Sequence, residues 1–458
     1  MNISRQQDSS ASKPRRGIKL IQTYISFASR SVLLLCACVL PALAAEVEID
    51  GAELCEGTLD RVYFSGNEVT RESVMRQELS FREGEPCSKE RILASRQNLM
   101  DLGIFSSVTV SLTRYTDRLV LQYTVREKHF ILPIPRISRT SDGELRFGGQ
   151  LRMDNFAGLN HQLKITSERH VEDDGAGRAG FEHSFEYNVP RFQNSRYGLS
   201  VELRRMDKEF ELKQGGEVYG ESSRIGDAIS LDLRKRRNRG AGSRGWQSSY
   251  GVSYEHRAHE LREGELGPFE EGYNLQFSGG LLRNEVRLEK YRRIGYAYGG
   301  RVSVGVDTLG ADYEYQRFDG FYRGYRPIEA DLLTNVNYNF ELGYTNGRPF
   351  GERAYAIGGG ESVRGLATKT VDGDVKLLLN IEYLQAFPHY PALRWVGFWD
   401  IGNVFPRWDF KPVYTKTGVG LGLRWKVVSF VRVDLRMDYA FSLTEQKGYT
   451  YIGTQLNF

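Results

Sequence analysis

The chain has 458 residues, 26% of them charged, a formal net charge of +4 and a mean hydropathy of −0.46. After residue 45 no run approaches the roughly 20 consecutive apolar residues that a membrane-crossing helix needs, which excludes a helical membrane protein. The 49 glycines, 26 tyrosines and 24 phenylalanines instead suit a large β-structure, and the near-balanced charge selects no partner by itself.

Residues 1–30 are polar and net positive, with Arg15, Arg16 and Lys19, and Ser31–Leu43 is apolar but too short to span a bilayer. Ala42-Leu43-Ala44 fits small-x-small cleavage, so 1–45 is predicted to be a signal peptide and the mature chain to start near Ala45 or Glu46. Leu35-Cys36-Ala37-Cys38 only faintly resembles a lipoprotein box, because its second position is wrong and the apolar run before it is short. Cys36 and Cys38 leave with that peptide. Cys55 and Cys87 then remain in an oxidising compartment, either as one disulfide, worth roughly 3 to 4 kcal/mol on the chain-entropy argument, or as two unpaired thiols. Neither metal-ligand nor redox-motif spacing is present.

Residues 46–130 read as a separate small α/β domain. Asp60–Asn67 is a strand ending in a Gly-Asn turn. Thr70 is expected to cap a helix through Leu79, and Gly84-Glu85-Pro86 breaks it. Ser88 caps a second helix carrying Ile92, Leu93, Leu99, Met100 and Leu102, with Gly103 as its stop. Val108, Val110 and Leu112 alternate in one strand, and Leu119, Leu121, Tyr123 and Val125 in the next.

Residues 131–458 show dyad alternation in segments of roughly ten residues, the signature of strands that cross a bilayer. Strands are expected near 131–139, 144–154, 160–170, 180–189, 196–206, 225–235, 246–256, 273–283, 296–307, 312–323, 332–343, 374–386, 393–404, 416–426, 430–441 and 449–458. That is an even number, as closure of such a barrel requires, with long loops at one end and short turns at the other. The stretch Asn284–Gly295 is awkwardly long for a turn at the short end. A soluble sandwich or propeller is the alternative, but no blade-length repeat is present. Arg234-Lys-Arg-Arg-Asn-Arg239 falls at a short turn, where it is expected to touch lipid headgroups and not nucleic acid. His256 and His259, with Glu255 and Glu260, do not share a strand face and fit neither zincin order, so no metal is expected. No Gly-x-Ser-x-Gly elbow or phosphate loop exists, and no catalytic constellation or cofactor site is expected.

The most informative stretch is Gly358-Gly359-Gly360-Glu361-Ser362-Val363-Arg364-Gly365-Leu366, a charged residue in a glycine-rich loop between alternating runs. The next two runs each contain an acid. In Lys376–Tyr383, Leu377, Leu379, Ile381 and Tyr383 share one face, opposite Lys376, Asn380 and Glu382. In Arg394–Asn403, Trp395, Trp399 and Ile401 oppose Asp400 and Gly402. In a membrane barrel both acids would face the lumen. The chain ends with Ile452, Leu456 and Phe458 on one face, as outer-membrane barrels commonly do.

These pieces resemble two known modules. The order β-α-α-β-β, with Val62-x-Phe64-x-Gly66-Asn67, Gly84, Leu99-x-x-Leu102-Gly103-x-Phe105-x-x-Val108 and Val125-x-Glu127, resembles a POTRA (polypeptide-transport-associated) domain. The remainder resembles the bacterial surface antigen barrel of the Omp85 superfamily. The matching residues are Val363-Arg364-Gly365, Phe398-x-Asp400-x-Gly402-Asn403-Val-Phe405, Gly418–Trp425 and Asp154-Asn155-Phe156-Ala157-Gly158. Leu366 stands where the family usually has Phe or Tyr, and Val427-Val428-Ser429 replaces the usual Pro-Gly.

The resemblance implies a mainly β fold: a 16-stranded transmembrane antiparallel β-barrel over 131–458, preceded by one small α/β POTRA domain over 46–130. It implies that loop six folds into the lumen and that Arg364 contacts Glu382 and Asp400. Ile452, Leu456 and Phe458 would form the assembly signal. Expected partners are outer-membrane lipids, an unfolded or extended polypeptide client on the POTRA edge strand, and the barrel assembly machinery during biogenesis; no nucleic acid is expected. Three functions compete. The first is a non-enzymatic assembly or transport machine of the outer membrane, with its POTRA in the periplasm. The second is a two-partner secretion pore, a class that usually carries two POTRA domains and a plug helix. The third is a passive or display barrel.

Overall fold

The computed structural model describes residues 49–453, apart from 140–144, 172–178, 193–194, 215–216, 238–243, 265–269, 330–332, 408 and 431–433. The expected signal peptide, Leu456 and Phe458 lie outside the described residues.

A small domain comes first: β1 (Leu59–Ser65), α1 (Glu72–Arg76), α2 (Lys89–Asp101), β2 (Phe105–Tyr115) and β3 (Arg118–Glu127). β3 is central, parallel to β1 and antiparallel to β2. Its alternate residues Leu119, Leu121, Tyr123 and Val125 join Val108, Val110 and Leu112 of β2 in a core with Ile92, Leu99 and Met100 of α2. Ser88 caps α2 by accepting the Arg91 N–H at 3.3 Å, and Gly103, at φ +77°, ends it. A disulfide joins Cys55 to Cys87 across a Cα separation of 5.5 Å, fixing the segment before β1 to the approach to α2.

The first helix differs from expectation. It covers only Glu72–Arg76, and Arg71, not Thr70, precedes it with no side-chain cap. The Thr70 hydroxyl instead accepts from Asn155 Nδ2 at 2.8 Å. A tertiary contact has replaced the local one.

The second body has sixteen long strands. Their first half is β4 (Ile131–Arg139), β5 (Leu145–Phe156), β6 (His161–Val171), β7 (Ala179–Val189), β8 (Tyr197–Gln214), β9 (Glu217–Arg236), β10 (Gly245–Gly264) and β11 (Gly272–Asn284). After the two-residue β12 (Arg287–Leu288) come β13 (Arg293–Val306), β14 (Tyr315–Glu329) and β15 (Thr334–Asn346). Loop six carries the small pair β16 (Tyr355–Ile357) and β17 (Val371–Gly373). The barrel is completed by β18 (Val375–Phe387), β19 (Tyr390–Phe405), β20 (Lys416–Lys426), β21 (Asp434–Ser442) and β22 (Gly448–Gly453). The strand order is that of a closed barrel, with β22 and β4 as neighbours.

Alternation sorts the faces. Ile165, Phe185, Leu203, Ile229, Phe277, Val302, Phe318, Phe340 and Ile452 are exposed on the outside, where lipid would lie. Near the small-domain end Tyr296, Tyr298, Tyr322 and Tyr338 stack in a row at 5.7 to 6.4 Å, an interfacial girdle.

Two expectations are corrected here. β8, β9 and β10 extend through 207–214, 217–224 and 257–264, which were expected to be loop. These stretches are rich in charged and small residues, so the apolar–polar alternation that marks a bilayer-crossing strand is weak there. The long stretch 284–295 contains β12, and it serves the small domain: Leu288 N–H donates to Asp101 at 3.1 Å.

Five turns at one end of the barrel hold that domain. Arg71 N–H donates to Gly158 O at 2.9 Å, and His129 N–H to Ser429 O at 2.7 Å. Arg191 reaches Gln77 O at 3.1 Å and Glu78 at 3.2 Å. Arg244 lies 2.9 Å from Asp101, beside the Leu288 contact. The basic run is corrected too: Arg236 faces the buried Glu78 at 3.8 Å, and Lys235 stacks on Tyr197, so part of the run meets protein where lipid headgroups were expected. The partner is an acid from another domain, which nothing in the run itself announces.

Candidate functional site

Loop six runs back into the lumen between β15 and β18. Three local features let it do so. Gly358, Gly359 and Gly365 adopt φ of +119°, +93° and +91°, which side chains rarely tolerate. Ser362 Oγ accepts the Gly358 N–H at 2.8 Å and donates to Gly358 O at 3.1 Å, closing the turn. Val363 and Leu366, both buried, join Tyr355, Ile357, Leu378 and Val404 in a small apolar cluster inside the barrel.

That cluster delivers Arg364 to the wall. Its side chain is fully buried. Nε and Nη2 grip both oxygens of Asp400 at 2.6 and 2.8 Å. Nη1 donates to Glu382 at 2.7 Å and to Asp438 at 3.3 Å. The Arg364 N–H adds a bond to Asp400 at 3.1 Å, and Asn380 Nδ2 another at 2.9 Å, so four donors converge on one carboxylate. The guanidinium lies 3.5 Å from the ring centre of Phe398, a cation–π contact. Arg424 bonds Glu382 at 2.9 Å and Asp438 at 3.1 Å, so two arginines meet three acids. Burying unpaired ions would cost several kcal/mol each, by about the penalty known for ions in low dielectric, so the set holds only as a set.

The last strand closes the site. Tyr451 Oη accepts the Gly365 N–H at 3.1 Å and donates to Leu366 O at 3.0 Å. Arg436 Nη2 donates to Gly360 O at 2.8 Å.

The structure thus brings Val363, Arg364, Gly365, Leu366, Glu382 and Asp400 together in the lumen, and places Ile452 on the outer face of β22. The sequence reading missed Asp438, Leu378 and Tyr451. Asp438 was legible by parity, since Asp434, Arg436 and Asp438 alternate with the outward Met437 and Tyr439. Leu378 breaks the polar lumen pattern because it packs under loop six. The ring that the Arg364 guanidinium faces belongs to Phe398 on the wall, not to the loop tip. His256 packs against Tyr273 in a tilted ring contact at 4.5 Å, and His259 lies beside Arg224 at 3.3 Å. Among the described residues no cluster of metal-ligating side chains occurs.

Comparison with known proteins follows the same division. A family described as a POTRA, surface antigen variable number repeat, matches residues 58–128, and the Omp85 superfamily domain matches residues 155–458. The chain is 22% identical over 423 residues to the outer membrane protein assembly factor BamA of Nitratidesulfovibrio vulgaris (strain Hildenborough), covering 84% of this chain and 49% of that protein. It spans about half the length of the curated relatives it matches. In fold it resembles BamA from Haemophilus ducreyi lacking POTRA domains 1–3, with a TM-score of 0.54 at 17% identity over 86% of this chain and 84% of that one. It also resembles CdiB from Escherichia coli, with a TM-score of 0.63 at 15% identity over 88% and 75%. Because the barrel match takes in most of the chain and contains the whole arginine site, the chain belongs to the Omp85 superfamily.

Proposed function

We propose that this chain is an outer-membrane protein whose POTRA domain faces the periplasm and which inserts polypeptide clients into the membrane or translocates them across it. It acts by binding and conformational change, not as an enzyme. The supporting observation is the Arg364 lock, which ties a loop across the lumen with buried ion pairs. A passive pore has no use for so costly an obstruction, whereas a machine that must open on engagement does.

Client docking is assigned to β1 of the POTRA sheet. Both edge strands are partly covered, in different ways. On β2, main chain lies alongside: Asp50 N–H donates to Val110 O at 3.2 Å, and Leu112 N–H to Asp50 O at 2.8 Å. On β1, main chain lies alongside only at the start, where Leu59 N–H donates to Glu85 O at 3.0 Å and Leu59 O accepts from Gly84 N–H at 2.7 Å; further along, side chains hold Val62, whose N–H donates to Glu83 at 3.0 Å and whose O accepts from Arg76 at 3.1 Å. Side chains swing away more readily than a paired main chain, so β1 beyond Leu59 is the edge that an extended client would join.

The division into signal peptide 1–45, POTRA 46–130 and barrel 131–458 is part of the same proposal. So are the roles of Val363, Arg364, Gly365, Leu366, Glu382 and Asp400 in holding the loop, and of Ile452, Leu456 and Phe458 in recognition by the barrel assembly machinery.

The test is deletion of the gene in its host, with quantitative proteomes of the outer membrane and of the medium. Loss of a set of barrel proteins supports insertion. Loss of one secreted protein supports dedicated secretion. Unchanged proteomes leave only the passive role.

A further inference from the structure

The lumen wall near the POTRA end carries an unusual row of cations. Register sets Arg394 of β19 opposite Arg424 of β20, and Arg424 opposite Arg436 of β21. Like charges across a ladder repel. Arg424 is neutralised by Glu382 and Asp438, and Arg436 donates to a loop carbonyl. Arg394 has no such relief. It is only 6% exposed, and its Nε is buried without a hydrogen-bond partner. Among the described residues it forms no hydrogen bond or ion pair. Two positions along β20, Lys426 faces Asp434 in register and forms no ion pair either.

Both side chains open into the same space. Arg394 and Lys426 line a cavity with Arg293 and Asp434. Lys426, Arg293 and Asp434 also line an adjoining cavity of about 120 Å³, between the strand ends and the POTRA domain, with Lys128 and Lys290. Three other acids reach these walls, and each is engaged elsewhere: Glu382 by Arg364 and Arg424, Asp101 by Arg244, Glu289 by Arg292. Asp434 is then the one carboxylate among the described lining residues left to face Arg394 and Lys426. A protein seldom buries a guanidinium with nothing to bind unless a ligand completes it.

We propose that Arg394 and Lys426 form an oxyanion site for a phosphate group, either free or carried on a lipid headgroup. The guanidinium fork suits two phosphate oxygens, and a lysine supplies a point charge to a third. Arg394 lines only the smaller cavity, of about 20 Å³, and Lys426 lines both, so the site lies where the smaller cavity meets the larger one. This inference stands whether or not the barrel handles polypeptides.

The test uses the full chain in detergent micelles, with inorganic phosphate followed by isothermal titration calorimetry. Arg394→Met and Lys426→Met are compared with wild type and with Arg205→Met, an exposed outward arginine paired loosely at 3.4 Å to Asp227. Wild type and Arg205→Met should bind one phosphate saturably, and each site variant at least tenfold more weakly. Phosphate should raise the unfolding temperature of wild type and of Arg205→Met, and not that of the site variants. Arg394→Met without phosphate should unfold at or above the wild-type temperature, since it removes an unpaired buried charge; should it fail to fold, Lys426→Met carries the test. In parallel, native mass spectrometry after purification from phosphatidylglycerol nanodiscs identifies the source. One phospholipid retained by wild type and lost from the variants marks a lipid headgroup. Phosphate binding without retained lipid marks the free ion. No saturable binding of either, or equal weakening in Arg205→Met, overturns the assignment.

Discussion

The main-chain oxygen of Arg364 lies so close to Gly418 that a Cβ built at position 418 would stand 1.8 Å from it. Loop six therefore rests on bare backbone of β20, and the glycine is what allows the arginine to reach Asp400. Gly418→Ala should push the loop off the wall. Overpacking of this kind costs about 1–3 kcal/mol, and here the strain falls on the lock. The expected outcome is faster protease cleavage within residues 358–366 while heat-modifiable migration of the barrel is kept. Cleavage at the wild-type rate would mean that the loop finds another path.

Arg364→Ala should do more. It removes the cation from three acids, and stranding buried charges costs roughly 3–5 kcal/mol. Pore conductance in planar bilayers should rise, and loop six should become protease-sensitive. Arg364→Lys should restore these only in part, because an ammonium cannot grip both oxygens of Asp400 and stack on Phe398 at once. A variant with alanine and wild-type conductance would count against the lock.

Glu83 is expected to guard the β1 edge. The Val62 N–H bond, and then Arg76, hold its carboxyl below the usual carboxylate range. A folded-state pKa below the unfolded one contributes stability that is present above the ordinary carboxylate pKa, about 4.3, and lost as pH falls through the lowered value. Val62 should therefore stay protected from hydrogen exchange at pH 5 and lose protection in stronger acid, after correction for the intrinsic rate. Glu83→Ala should lose that protection at neutral pH and bind an extended peptide more tightly. Undiminished protection in the variant would remove Glu83 from the role.

Removal of Phe458 should leave export intact and reduce insertion. The truncated chain should accumulate in the periplasm and be degraded there, as seen by fractionation and immunoblotting. Normal levels in the outer membrane would leave Phe458 without an assembly role.

Much of this molecule is legible as alternation. Where one strand face meets lipid and the other the lumen, period two shows through, and it places Glu382 and Asp400 correctly inward. It weakens in the far ends of β8, β9 and β10, where charged and small residues crowd the sequence. It fails also where the deciding contact comes from distant sequence: Thr70 is taken by Asn155, Arg236 turns to Glu78, and the stretch around Leu288 lengthens to meet Asp101. Leu378 looks like a lapse in the pattern until loop six is laid over it.

Tyr451 gives the lock a place in time. Its hydroxyl bridges Gly365 and Leu366 from the last strand, 86 and 85 residues further along the chain. Arg436 and Asp438 on the strand before it also touch the loop. No partly built barrel that lacks the final hairpin can complete these bonds. The clamp on Asp400 and Glu382 needs only β18 and β19, whereas the bonds from Arg436, Asp438 and Tyr451 require the finished wall.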